Sequence, residues 1–348
     1  MTISLDPRDW KYFSQGAANV IFQFSNNSGL NTSTTNLEDP QLCLLRLRKK
    51  IKDLPTTVDN WSFIENSVIP LTNGYMASMK LVKIDTELLL ALNDKAGQSS
   101  DNFPFFELNI SESHGILMQN LRPPHLMAAN KNKYLHISTF FSDFLRSAFI
   151  EFKPKWLVQS LSAPSNSRYC RTCAVKQMRG KSHQITYCPL QLLKKNAQDV
   201  KKLVDRLLGD TLDEIWHPII GLCLHKVVME SPVFSIIKSI QEMCQKSIVD
   251  YSDTEDLDNE FGLFMSACDC TLLINIMTNN IQAERDVLTI KEGETTYFIS
   301  CKLVDLDKKN IISPIKRKHW KSIEEKLINE GWYTGINSNS AHQLPSCF

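Results

Sequence analysis

The stretch FIEFKPKWL, residues 149–157, decides how the chain is read. Extended backbone sends successive side chains to opposite faces of a sheet. Glu151, Lys153 and Lys155 then share one face, and Phe152, Pro154 and Trp156 the other. Pro154 has no N–H to give a ladder, so the segment is expected at a sheet edge or just leaving one. A charged stripe on an edge ordinarily only keeps other strands away. The remainder of the sequence decides whether this one does more.

With 348 residues the chain exceeds one typical core and fits two lobes, divided here as 1–120 and 121–348. Apolar residues make up 43% and charged ones 22%, as in ordinary folded proteins. The 39 basic and 38 acidic residues leave a formal charge of +1. That balance excludes a global cationic field, so an anion site has to be a local cluster of Lys and Arg. The opening MTISLDPRDW lacks a basic segment followed by an apolar one, and no apolar stretch is long enough to span a bilayer. The ten cysteines are scattered through a large chain and are expected to be reduced, in the cytosol or nucleus.

Short extended runs fill the first third, at 17–24 (AANVIFQF), 41–49 (QLCLLRLRK), 80–84 (KLVKI) and 115–119 (GILMQ). Arg46 and Arg48 alternate with leucines, which predicts one charged and one buried face. The double proline after Asn120 predicts a lobe boundary. Helical periodicity follows at 190–208, stopped by Gly209, and from Ser231-Pro232 through about 247. An acidic loop, 250–260, precedes two apolar runs, 261–274 and 296–307, each holding aspartate. The pattern predicts an α+β fold, strand-rich first and mixed afterwards.

Asp269 sits among Ala267, Cys268, Cys270 and Leu272. A carboxylate there needs a cation, a metal or a mechanistic role, with a capped turn or structural ion pair as the plainer reading. Asp305 and Asp307 close an apolar strand, where hard oxygen donors suit magnesium and phosphates. In SQGAANVIF, 14–22, small residues let backbone amides approach phosphate, although no Gly-x-Gly-x-x-Gly or Gly-Lys-Ser motif is present. Cys170-x-x-Cys173, with His183 and Cys188, approaches zinc-knuckle spacing imperfectly, and a basic segment that happens to carry thiols is the favoured alternative.

Taken in order, these pieces resemble the inositol-pentakisphosphate 2-kinase family, in its short fungal form. The resemblance runs through YFSQGAANVIF, LLRLRK, FIENSVIPL, the Glu-x-Lys-Pro-Lys box at 151–155, CRTCAVKQ and YCPLQL. It continues in Cys268-Asp269-Cys270-Thr271 and Val304-Asp305-Leu306-Asp307-Lys308-Lys309. It implies a two-lobed fold distantly related to protein kinases. It also implies transfer of the ATP γ-phosphoryl group to the 2-hydroxyl of inositol pentakisphosphate, giving the hexakisphosphate. By position, Gly16, Ala17, Ala18 and Asn19 would cover the nucleotide phosphates, helped by Arg46, with Met118 to Asn120 beside adenine. Lys153, Lys155, Arg171, Arg179 (or Lys181) and Lys309 would bind substrate phosphates. Asp269 would be the general base, Asp305 the magnesium ligand, and Glu151 an orienter of the lysines.

The resemblance further implies ATP and magnesium as cofactors, a monomer with neither nucleic-acid nor membrane partners, and residence in the nucleus, with the cytoplasm as the other compartment. No structural zinc is expected, because the acidic loop stands where a plant relative carries its zinc-binding insertion. Lys309 is followed by Asn310 rather than proline, and Lys316, Arg317 and His319 lie beyond the Ser313-Pro314 insertion, which blurs their alignment. Two alternatives remain: a kinase of another inositol polyphosphate, and an inositol-phosphate-binding scaffold without catalysis. A zinc-knuckle nucleic-acid binder ranks below both.

Overall fold

In the computed structural model, the described residues are 6–24, 43–52, 54–98, 105–123, 126, 128–131, 134–142, 144–181, 187–210, 212–252, 259–278, 287–309, 313–337 and 346–348. His183 and most of the acidic loop lie outside them. The fold is α+β, with two antiparallel sheets and eight α-helices among the described residues. Two units divide it: Met1–Pro70 with Met76–Leu121, and Leu71–Tyr75 with Arg122–Phe348.

In the first unit the extended runs become β1 (Trp10–Gln15), β2 (Asn19–Phe24), β3 (Cys43–Arg48), β4 (Met79–Lys83) and β5 (His114–Gln119). Their order is β1-β2-β3-β5-β4. Between β3 and β4 runs helix α1 (Thr57–Phe63), opened by a reciprocal cap between Thr56 and Asp59. Helix α2 (Thr86–Gln98) turns Leu88, Leu89 and Leu92 onto Val20, Phe22, Leu45, Leu47 and Leu117 to form the core.

The alternation in LLRLRK does not give an exposed charged face. Every residue of β3 is buried, including Arg46 and Arg48 at 6% exposure each, because β3 lies between β2 and β5. A strand flanked and covered on both faces leaves no solvent side. The same crowding fixes Gly115 on β5: a Cβ there would stand 2.9 Å from Leu47 Cδ2 and 3.1 Å from Leu45 Cδ1.

The second unit holds β6 (Ala128–Lys131), β7 (Leu135–Phe141), β8 (Arg146–Phe152), α3 (Arg171–Met178), α4 (Ala197–Leu208), α5 (Trp216–Glu230) and α6 (Val233–Glu242). After these come α7 (Asn259–Ala267), β9 (Thr271–Met277), β10 (Leu288–Glu292), β11 (Thr295–Val304) and α8 (Pro314–Asn329). The sheet order is β10-β11-β9-β8-β7-β6. β8 is therefore an interior strand that stops at Phe152, and Pro154 falls just past its end, where a missing N–H removes no ladder bond. Gly209 closes α4 at φ +53°, and α6 stops at Glu242, short of the expected 247. No single described helix is long and apolar enough to cross a membrane.

Replacing Gly115 with valine overpacks the β3–β5 seam and is expected to cost about 1–3 kcal/mol. A urea midpoint for Gly115→Val that matches the parent would contradict this packing.

Candidate active site

Strand register places the charged residues. Phe152 of β8 lies opposite Leu272 of β9, Leu272 lies opposite Leu303 of β11, and Thr271 opposite Val304. The chain that leaves β8, the chain that enters β9 and the chain that leaves β11 therefore meet at one end of the sheet. Lys153 and Lys155 come from the first, Asp269 from the second, and Asp305 and Lys309 from the third.

Asp269 is the centre of this cluster. It sits in the turn between α7 and β9, its N–H donating to the Ser266 carbonyl at 3.1 Å. Lys155 Nζ donates to Oδ1 at 2.9 Å, Lys309 Nζ lies 3.4 Å from Oδ2, and Lys153 Nζ stands 3.5 Å from Oδ1 while donating to the Asp269 carbonyl at 3.2 Å. Partial burial acts to raise this carboxyl, but Lys155, Lys309 and Lys153 outweigh it and hold the pKa at about 2. Of the plainer readings weighed for Asp269, the ion pair is present, as a cage of three lysines.

Two of the three non-glycine residues with positive φ among the described residues lie here, Lys155 at +67° and Asp305 at +64°. Strained backbone of this kind persists only where its surroundings hold it. For Lys155 the holder is Gln241 on α6, which is 1% exposed. Its Nε2 donates to the carbonyls of Lys155 (3.0 Å) and Ala267 (3.2 Å), and its Oε1 accepts from the Leu157 N–H at 2.7 Å. One buried amide thus ties the lysine segment to the turn that carries Asp269. Sequence reading passed over it, although a glutamine on the apolar face of a predicted helix is a visible anomaly.

Asp305 is exposed just past β11, and Thr271 Oγ1 donates to its Oδ2 at 2.7 Å. A hard carboxylate steadied by a hydroxyl suits a divalent cation such as magnesium. The Asp307 carbonyl, two residues on, accepts from Ser266 Oγ at 2.5 Å. That bond ties the segment to α7.

The remaining expected contacts separate. Arg171, at the start of α3, gives its Nε to Glu324 of α8 at 2.8 Å and lays its guanidinium over Trp156, 4.1 Å from the ring centroid. Glu324 also accepts from Ser160, Ser162 and Tyr333 at 2.5–2.6 Å. Burial acts to raise this carboxyl, and Arg171 with the three hydroxyls brings it below the usual range. Trp156, Arg171, Phe264, Trp320 and Glu324 line a cavity of about 270 Å³, whose lining includes neither Asp269 nor the three lysines. Arg179 is exposed at the end of α3. Glu151 makes no ion pair with Lys153 or Lys155 among the described residues.

In the first unit Gly16, Ala17 and Ala18 form the turn between β1 and β2, closed by the Gly16 N–H donating to the Asn19 carbonyl at 2.9 Å. Gly16 and Ala17 are exposed, and a Cβ on Gly16 would meet nothing within 4 Å. Arg46 lies mid-strand opposite Ile21 and Ile116, and Met118 ends up opposite Leu44 and Met79. Asn120 directly follows β5. Separately, Cys170, Cys173 and Cys188 converge with Cys347, a partner that sequence reading missed because it lies 159 residues beyond Cys188 in the chain (347 minus 188).

A family model described as inositol-pentakisphosphate 2-kinase matches residues 12–218. An inositol-pentakisphosphate 2-kinase of Yarrowia lipolytica is 26% identical over 336 residues, covering 96% of each chain. One from Debaryomyces hansenii is 26% identical, covering 97% of this chain and 94% of its own, and one from Saccharomyces cerevisiae is 24% identical over 63% of this chain and 70% of its own.

Gln241→Leu strands three backbone groups and is expected to destabilise the fold by about 1–3 kcal/mol for each one left without water. An unchanged denaturant midpoint would show that Gln241 holds nothing. Asp269 has a folded pKa of about 2 against an ordinary 3.8. Its contribution to stability is therefore full above about pH 4 and lost as pH falls toward 2. Being half-exposed, it is worth at most about 1 kcal/mol. Denaturant titrations from pH 5 to 2.5 should show a flatter acid slope for Asp269→Asn than for the parent.

Proposed function

The chain belongs to the inositol-pentakisphosphate 2-kinase family, and on that premise we propose that it transfers the γ-phosphoryl group of ATP to the 2-hydroxyl of inositol 1,3,4,5,6-pentakisphosphate. The product is inositol hexakisphosphate. The observation that carries the proposal is the carboxylate of Asp269 caged by Lys153, Lys155 and Lys309. Phosphoryl transfer demands positioning and charge neutralisation more than covalent chemistry. A substrate with five phosphates, each with a second ionisation near pKa ~6, supplies the anions that such lysines match.

In this reading the lysines leave Asp269 for substrate phosphates, so the polyanion itself uncovers the carboxylate. Asp269 then accepts a hydrogen bond from the 2-hydroxyl, orients its oxygen toward the γ-phosphorus and takes its proton as the new P–O bond forms and the bond from the γ-phosphorus to the β–γ bridging oxygen breaks, ADP leaving with that oxygen. Arg179 adds a phosphate contact, and Arg171 contributes through its terminal nitrogens, since Nε is held by Glu324. The turn of Gly16, Ala17, Ala18 and Asn19 covers the ATP phosphates, with the Gly16 N–H kept by the Asn19 carbonyl to hold the turn closed; Arg46 adds charge, and Met118 and Asn120 flank adenine. Asp305 would hold magnesium, which when bound neutralises charge on the transferring phosphates. The α+β organisation in two units supports a two-lobed, kinase-like fold; action as a monomer and residence in the nucleus rest on the family resemblance alone.

Incubation with ATP, magnesium and separate inositol phosphates should convert the 1,3,4,5,6-pentakisphosphate fastest, with phosphate appearing at the 2-position. Equal turnover of lower phosphates would overturn the specificity. Asp269→Asn should lower kcat by about 10²–10⁴-fold while leaving substrate affinity intact, because the three lysines remain. Lys155→Met should instead act mainly through a higher KM. An Asp269→Asn protein that turns over normally ends the proposal.

A further inference from the structure

Cys170, Cys173, Cys188 and Cys347 place their four Sγ atoms within 4.8 Å of one another. This is the only such group of metal-ligating side chains among the described residues. We propose that the four thiolates hold a structural zinc ion. A tetrahedral Zn–S₄ centre with bonds of about 2.3 Å places its sulfurs about 3.8 Å apart. Cys170 and Cys188 already stand 3.5 Å apart, well outside the roughly 2.05 Å of a disulfide. All four are free thiols, and a purely soft-sulfur set selects zinc over hard cations.

The scaffold holds the ligands as a built site does. Cys170 caps α3 and Cys173 lies one turn inside it, so the Cys-x-x-Cys pair shares one helix end. Cys188 caps a short 3-10 turn, Pro189–Leu193. Cys347 is fixed by its N–H donating to the Arg168 carbonyl at 2.8 Å, and that segment is itself held by Arg168 and Tyr169 N–H groups donating to the Tyr333 carbonyl. Around the sulfurs pack Tyr169, Ala174, Leu327 and Tyr333, which keep water out. Four thiols bind one Zn²⁺ as thiolates, with up to four protons released to solvent and no change of oxidation state.

The ion would tie the start of α3, next to Arg171, to the far end of the chain. This centre involves neither the acidic loop nor any of the charged residues around Asp269. Its zinc ligands come from the segment that spacing alone left incomplete, with Cys347 standing where His183 was weighed.

The test is metal analysis of the full-length chain purified under reducing conditions without chelator. About one zinc per chain is expected, released by an organomercurial in step with four thiols. Refilling with Co²⁺ should give thiolate-to-cobalt absorption and d–d bands of tetrahedral intensity. Cys347→Ala should weaken zinc binding more than about tenfold, while Cys301→Ala, outside the cluster, should retain it. Metal-free protein with all thiols titratable would overturn the proposal. So would iron in place of zinc, or a Cys170–Cys188 disulfide in peptide mapping. Should the cysteine variants fail to fold, zinc content and cobalt spectrum of the parent chain still decide.

Discussion

Everything at the candidate site depends on the hydrogen-bonded register of β8, β9 and β11. Seven paired positions join β9 to β11, from Phe298↔Met277 to Val304↔Thr271, and the β8–β9 ladder ends at Phe152↔Leu272. Because side chains alternate with period two, sliding any strand by one residue turns its buried set outward. The apolar faces of Ile150, Leu272, Ile274, Ile299 and Leu303 forbid that slip. Core packing thus fixes which loops emerge together, and those loops carry every charge that meets Asp269.

Register brings the segments close, and Gln241 joins them. A buried amide that gives both N–H donors to carbonyls and accepts one N–H on its oxygen has no donor left for alternative partners. It therefore holds the Lys155 backbone and the α7–β9 turn to one geometry. A second buried hub, Glu324, does the same for Ser160, Ser162, Arg171 and Tyr333 around α8. Only the first hub touches the segments that carry Lys155 and Asp269; the second holds Arg171 on its own side of the unit.

Local pattern revealed the strands well. The runs at 17–24, 41–49, 80–84 and 115–119 became β2, β3, β4 and β5 within a few residues. The period-two reading of 149–157 held as far as Pro154, which is buried while Lys153 is exposed. Pattern could not tell that β3 is covered on both sides, since alternation records chemistry and not neighbours. Ordered motifs located Asp269, Asp305 and the lysines, but not their mutual distances. Gln241, Glu324 and Cys347 escaped because the partners that matter most (Lys155 and Leu157, Arg171 and Ser160, and Cys188) lie 80 or more positions away in the chain, where no spacing rule reaches.

Lys155 has a further consequence. A glycine at 155 would rest at φ +67° without strain, whereas a lysine held there costs on the order of 1 kcal/mol. Backbone ease and the pairing with Asp269 therefore pull this position in opposite directions. An engineer who selected only for heat resistance would be led toward glycine, and the hardened protein would have lost the ammonium that stands 2.9 Å from that carboxylate.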